Sequence, residues 1–182
     1  MPYLRGDPEA FDEILAEIGE ENLPADFAKQ QPSGDFEYQP AKASFKSVKL
    51  GKIAKLMHKA LLELGATAFR VRYDGGFDEG FAHSDHLLFG KEKRTVESVA
   101  KELASSLEAE VRSLAEKRYY KDVVGDKLMK EALDELAQEL ACQLLGESFG
   151  TGEYQLYGAF TADLKTGKIT DDPKAGKPRN MR

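Results

Sequence analysis

The stretch Ala66-Thr67-Ala68-Phe69-Arg70-Val71-Arg72-Tyr73-Asp74-Gly75-Gly76-Phe77-Asp78-Glu79-Gly80-Phe81-Ala82-His83-Ser84-Asp85-His86-Leu87-Leu88-Phe89 carries the first decision about architecture. Up to Asp74 it alternates, with Phe69, Val71 and Tyr73 on one side and Arg70 and Arg72 on the other, which is the period of a half-buried strand. From Asp74 to Gly80 three glycines stand among acids, the composition of a turn that uses positive backbone dihedrals. Phe81 to Phe89 then returns as the partner strand. Its phase is open: Phe81, His83, Asp85, Leu87 and Phe89 share one face, while Ala82, Ser84, His86 and Leu88 share the other. If the Phe set faces the core, His83 and Asp85 enter with it.

Upstream, residues 47–64 have helical periodicity, with Val48, Ile53, Leu56, Met57, Ala60, Leu61 and Leu64 on the buried side and Gly65 as the stop. Downstream, Thr95 caps a long helix through about Arg118, whose stripe is Val96, Val99, Ala100, Leu103, Leu107, Val111 and Leu114. Asp126 caps another, with Met129, Leu133, Leu136, Leu140 and Leu144 inward and Gly146 at its end. Tyr154 to Leu164 alternates again, and Lys165-Thr166-Gly167 turns the chain into a short strand around Ile169. This order predicts an α+β domain: a small, mainly antiparallel sheet of two hairpins with three helices packed on one face. An amphipathic N-terminal helix precedes it on a linker. Asp7 caps that helix, Pro8 fits its first turn, and Phe11, Ile14, Leu15 and Ile18 share a face before Gly19. The predicted organisation is residues 1–22 acidic helix, 23–45 linker, 46–172 domain and 173–182 basic tail.

Arg70-Val71-Arg72-Tyr73-Asp74-Gly75-Gly76-Phe77-Asp78-Glu79-Gly80 and Tyr157-Gly158-Ala159-Phe160-Thr161-Ala162-Asp163 resemble the two hairpins of a family of small bacterial and mobile-element proteins of unknown function. The resemblance covers roughly residues 66–172. It implies a fold and no activity.

Charge is sorted along the chain. Of its 182 residues 32% are charged and the net charge is −6. From Asp7 to Glu37 ten acids stand against Lys29 alone, whereas Lys42, Lys46, Lys49, Lys52, Lys55 and Lys59 lie in a run with no acid. The tail carries Lys174, Lys177, Arg179 and Arg182. No apolar run approaches the roughly 20 residues that cross a bilayer, and the first residues are acidic where a leader is basic and apolar. The single cysteine, Cys142, excludes a disulfide within the chain. A cytoplasmic protein without membrane contact is expected.

Chemistry-bearing patterns are few. Asp74, Asp78, Glu79, His83, Asp85 and His86 are dense enough in ligand atoms for a divalent ion, yet a calcium-loop alignment fails at Gly76, Glu79 and Asp85. A structural turn is the expectation, with no metal and no cofactor. A buried His83–Asp85 pair has the chemistry of proton transfer, and equally that of a cross-strand partner for Arg70 or Arg72. Gly150-Thr151-Gly152 is rejected as a phosphate cradle because it leads from helix to strand. Cys142 reads as a packed thiol and His58 as solvated. No catalytic residue is assigned. The sequence-stated binding candidates are the apolar set Phe11, Ile14, Leu15 and Ile18, which either completes the core or lies in another protein's groove, and the lysine stripe Lys46, Lys49, Lys52, Lys55 and Lys59. The expected function is a non-enzymatic protein–protein interaction module, of which an inhibitor or accessory protein encoded on a mobile element is one version. A metal-assisted hydrolase at the Asp74–His86 hairpin, or a nucleic-acid accessory protein using the lysines, is the alternative.

Overall fold

The computed structural model describes residues 42–77, 79–115, 122–145 and 152–172. Phe11, Ile14, Leu15 and Ile18, the N-terminal helix predicted around them, most of the linker and the basic tail lie outside those residues. The fold is α+β, an antiparallel sheet with three helices. The strands are β1 (Lys42–Ser44), β2 (Ala68–Phe77), β3 (Glu79–Phe89), β4 (Glu92–Thr95), β5 (Gly152–Asp163) and β6 (Lys168–Asp172). The helices are α1 (Lys52–Glu63), α2 (Val96–Leu114) and α3 (Gly125–Leu145). Strand order is β1-β6-β5-β2-β3-β4, and every pairing is antiparallel.

Among the described residues the sheet therefore has six strands where four were expected. β2 runs on to Phe77 and β3 begins at Glu79, so the glycines predicted to turn are paired instead, Gly75 with Gly80 and with Leu156. β4 is the charged run Glu92-Lys93-Arg94-Thr95, which has no alternating apolar face to announce it. Gly90, at φ 63°, makes the tight turn that pairs Phe89 with Glu92. β1 lies in the stretch read as linker and pairs Ala43 with Ile169. Short and charged, these two edge strands suit the margins of a sheet, where a long apolar strand invites pairing with another chain.

One core joins the layers. Phe69, Val71 and Tyr73 of β2, Phe160 and Ala162 of β5, Ile169 of β6 and Leu87 of β3 are buried on the helix-facing side. Against them lie Ile53, Met57 and Leu61 of α1 and Val99 and Leu103 of α2. α3 buries ten residues, the predicted Met129, Leu133, Leu136, Leu140 and Leu144 and five more including Ala132, Ala137 and Ala141, whose small side chains widen its buried face. Tyr73 stacks on Phe160 at 6.1 Å and donates its hydroxyl to the buried Asp171 at 2.9 Å. Its cross-strand neighbour is Gly158, where a Cβ would overlap the Tyr73 ring and hydroxyl.

The helix predicted over 47–64 is divided. Ser47–Lys49 is a turn of 3-10 helix, Leu50 and Gly51 are extended, and α1 begins at Lys52. The break lets Leu50 enter the core while Val48 stays 76% exposed, which corrects its placement on the buried side. Gly65, at φ 89°, ends the segment as predicted, with Ala66 N–H bonded to Leu61 O. Thr95 Oγ1 accepts from Ser98 N–H and caps α2, which stops at Leu114 because Ala115 turns extended. Asp126 lies one residue inside α3, and its carboxylate accepts from Lys127 N–H.

Candidate functional site

The long strand β3 has only part of its outer edge paired. β4 covers His86 to Phe89 and stops there. Over Gly80 to Ser84 the edge is completed by side chains of α3. Gln138 Oε1 accepts from Ala82 N–H at 2.7 Å while its Nε2 donates to Gly80 O at 2.9 Å, so one side-chain amide stands in for a neighbouring peptide group. One turn earlier Asp134 Oδ1 accepts from Ser84 N–H at 2.7 Å. The repeats match, since four helical residues rise about 6 Å and two strand residues about 6.8 Å. Hence residues 134 and 138 meet alternate N–H groups of a strand running the other way.

The phase of β3 is decided by a bulge. Arg70 pairs with His86 and Val71 with Ser84, which leaves Asp85 as the extra residue. Ala82 is buried before it and Leu87 after it, so neither of the two alternating sets read from sequence holds through the whole strand. Phe81 is 50% exposed, and His83 is exposed rather than internal. The bulge also separates the His83–Asp85 pair. Asp85 meets Arg72 at 3.6 Å and His86 Nδ1 at 3.2 Å, whereas His83 Nδ1 lies 3.9 Å from Asp134 Oδ2.

The Asp134 carboxylate raises the His83 pKa above its ordinary value against the pull of burial, with Asp74 and Glu131 adding to it. Burial raises the Asp74 carboxyl, and His83 opposes that rise. Burial works against the Asp134 charge too, but His83 and the Ser84 N–H outweigh it and its pKa lies below the usual carboxylate value. His86 is pushed down by burial and by Lys93. Among the described residues no group of three or more His, Cys, Asp or Glu side chains is arranged to hold a metal ion.

Between this edge and α3 lies an open groove of about 530 Å³, lined by Glu79, Gly80, Phe81, Glu131, Asp134, Glu135, Gln138 and Glu139. Five of those eight are carboxylates. Glu139 also accepts from Gly51 N–H at 2.7 Å ahead of α1, and Gln143 accepts from Lys46 N–H at 2.8 Å. α3 thus ties β3 on one side and the lead-in to α1 on the other. Asp134, Gln138, Glu139 and Gln143 were not legible as site residues, because polar positions opposite a helix's apolar stripe have the pattern of a solvated face.

The lysine stripe is exposed. Lys46 precedes the 3-10 turn and Lys49 is its last residue, and Lys52, Lys55 and Lys59 follow on α1 away from its buried side. Lys59 lies 3.7 Å from Glu63, both well exposed. Among the described residues no carboxylate comes within 4.0 Å of the other four amines. His58, expected in solvent, instead bonds through Nε2 to Leu164 O at 2.8 Å and meets the Phe45 ring edge-on at 5.1 Å. Cys142 is half-buried against the core, 3.9 Å from Gln138 Nε2. No described helix is long and apolar enough to cross a membrane.

Comparison with protein-family models, with curated proteins and with solved structures finds no match.

Proposed function

We propose that this chain is a non-enzymatic protein–protein interaction module that works through segregated surface charge. The observation that carries the reading is the contrast between two exposed faces joined by α3. The α1 face holds Lys46, Lys49, Lys52, Lys55 and Lys59, while the β3–α3 groove holds Glu79, Glu131, Asp134, Glu135 and Glu139 beside exposed Phe81. Sorted charge of this kind selects a partner and speeds encounter more than it adds raw affinity. An open groove with an exposed aromatic suits contact with a basic protein surface, since aromatic anchors carry much of the energy of such contacts. An inhibitor or accessory protein encoded on a mobile element, cytoplasmic and without a cofactor, is the concrete form of this reading. Its sheet is read as two hairpins extended by short edge strands, and its N-terminal acidic helix as a tethered arm.

The test is quantitative co-purification of the full chain from its source cells, with and without nuclease. Two charge-reversed variants are run alongside: Lys52→Glu with Lys55→Glu, and Glu131→Lys with Glu135→Lys. A protein that survives nuclease, is lost from one variant and is kept by the other is the expected result. Retention of the same proteins by both variants, or only of nuclease-sensitive material, overturns the reading.

A further inference from the structure

Building on the reading of its two charged faces as contact surfaces, we propose that the chain is also its own partner: the lysine face of one copy seats in the β3–α3 groove of another. Neither face pairs with itself, because each carries one predominant sign of charge. On the first stand Lys46, Lys49, Lys52, Lys55 and Lys59, and among the described residues Glu63, beside Lys59, is the one carboxylate within 4.0 Å of those amines. Lys52 opens α1 and no acid occupies its first turn, so a cation sits at the positive end of the helix dipole and a carboxylate from outside is favoured there. The groove holds Glu79, Glu131, Asp134, Glu135 and Glu139. Unlike faces therefore meet, and the contact is heterologous.

Shape and apolar content agree with charge. α1 is a convex rod about 18 Å long, and the groove is an open hollow of about 530 Å³ between β3 and α3. Lys52 to Lys59 rises about 10 Å along α1 and Glu131 to Glu139 about 12 Å along α3, so the two rows are nearly equal in length. Among the described residues four large hydrophobic side chains are exposed, and three of them belong to these two faces. Val48, at 76%, lies in the chain between Lys46 and Lys49, and Leu62, at 39%, follows Lys55 by seven residues, which keeps it on the same side of the helix. Phe81, at 50%, lines the groove. Each face thus offers apolar surface that the other covers. The contact is small: a helix with its side chains is about 10–12 Å wide, so α1 offers much less than the roughly 800 Å² per partner of a standard interface, and association belongs in the micromolar to millimolar range. At that strength self-pairing keeps both faces covered until a tighter-binding protein displaces a copy.

Sedimentation velocity of the purified full chain over a range of concentrations tests this. At low salt the weight-average mass is expected to rise with concentration, and the apparent Kd to weaken about tenfold at high salt, where the Debye length shrinks to a few ångströms. Lys52→Glu with Lys55→Glu sets carboxylates in the lysine face, and Glu131→Lys with Glu135→Lys sets amines in the groove. Asp134 and Glu139 stay in place because they hold Ser84 N–H and Gly51 N–H. Each variant alone is expected to lose self-association. An equimolar mixture of the two recovers it, because the unaltered groove of the first meets the unaltered lysine face of the second, and circular dichroism checks that both keep the fold. Lys91→Glu with Lys101→Glu makes the same change of net charge at exposed positions outside both faces and is expected to associate like the unaltered chain. An unaltered chain that stays monomeric near millimolar concentration at low salt, association indifferent to salt or to either pair of substitutions, a mixture that fails to recover, or an equal loss in the Lys91 and Lys101 control each overturns the proposal. A monomeric chain that still captures another protein in the co-purification above defeats self-pairing and leaves the proposed function standing.

Discussion

Replacing Gln138 tests whether α3 completes the sheet. Its amide makes two hydrogen bonds to β3, accepting from Ala82 N–H and donating to Gly80 O, in a part-buried setting. A neutral hydrogen bond contributes a net 0.5–1.5 kcal/mol, so Gln138→Leu, which keeps the volume and removes both bonds, costs about 1–3 kcal/mol. Gln138→Glu separates the two halves of the interaction. It keeps an acceptor for Ala82 and turns a carboxylate toward the Gly80 carbonyl, so a comparable loss is expected at neutral pH. That loss shrinks at acid pH, because a protonated carboxyl donates again. Global stability is read from urea unfolding, and the local effect from amide exchange at Ala82 against Phe69 of the sheet interior. An unchanged midpoint with an Ala82 amide still protected in Gln138→Leu would show that the edge needs no helix side chain and that the spacing match is incidental.

The histidines give a pH prediction whose sign follows from their surroundings. Asp134 favours the charged form of His83, so this interaction is fully present below the unfolded-state histidine pKa and is lost as pH rises through the higher folded value. An NMR titration is expected to place His83 above His86, which burial holds down, and Asp134→Asn should bring His83 back toward the ordinary value; the reverse order of midpoints refutes the assignment. Tyr73→Phe removes the hydroxyl that donates to buried Asp171 and should cost about 1–3 kcal/mol in urea unfolding, with a loss below 0.5 kcal/mol counting against that role. Thr95→Ala removes the α2 cap and should cost about 1 kcal/mol, whereas Thr95→Ser should cost much less; equal losses would show that the hydroxyl is not what matters.

The elements whose signal is local were legible. The stripe of α3 from Met129 to Leu144, the Thr95 cap and the Gly65 stop each rest on residues within a few positions of one another, and each is where the pattern puts it. The blocks of charge were equally plain, and Lys52, Lys55 and Lys59 do share an exposed face of α1. Val48 misled because periodicity carries through residues 47–64 while the backbone breaks at Leu50 and Gly51 to bury Leu50. β1 and β4 went unread because strands of three and four residues at a sheet margin bury too little to impose alternation.

By itself the sequence placed α1, α2 and α3 and the apolar stripes they bury, apart from Val48, and showed that like charges travel together, since those properties depend on neighbours along the chain. Only the tertiary structure decided that Asp85 bulges, that His83 answers to Asp134 rather than to Asp85, and that an acidic groove forms where α3 meets β3. The bulge depends on register between strands about 15 residues apart and the other two on a helix and a strand about 50 apart, and slipping a strand by one position exchanges its two faces.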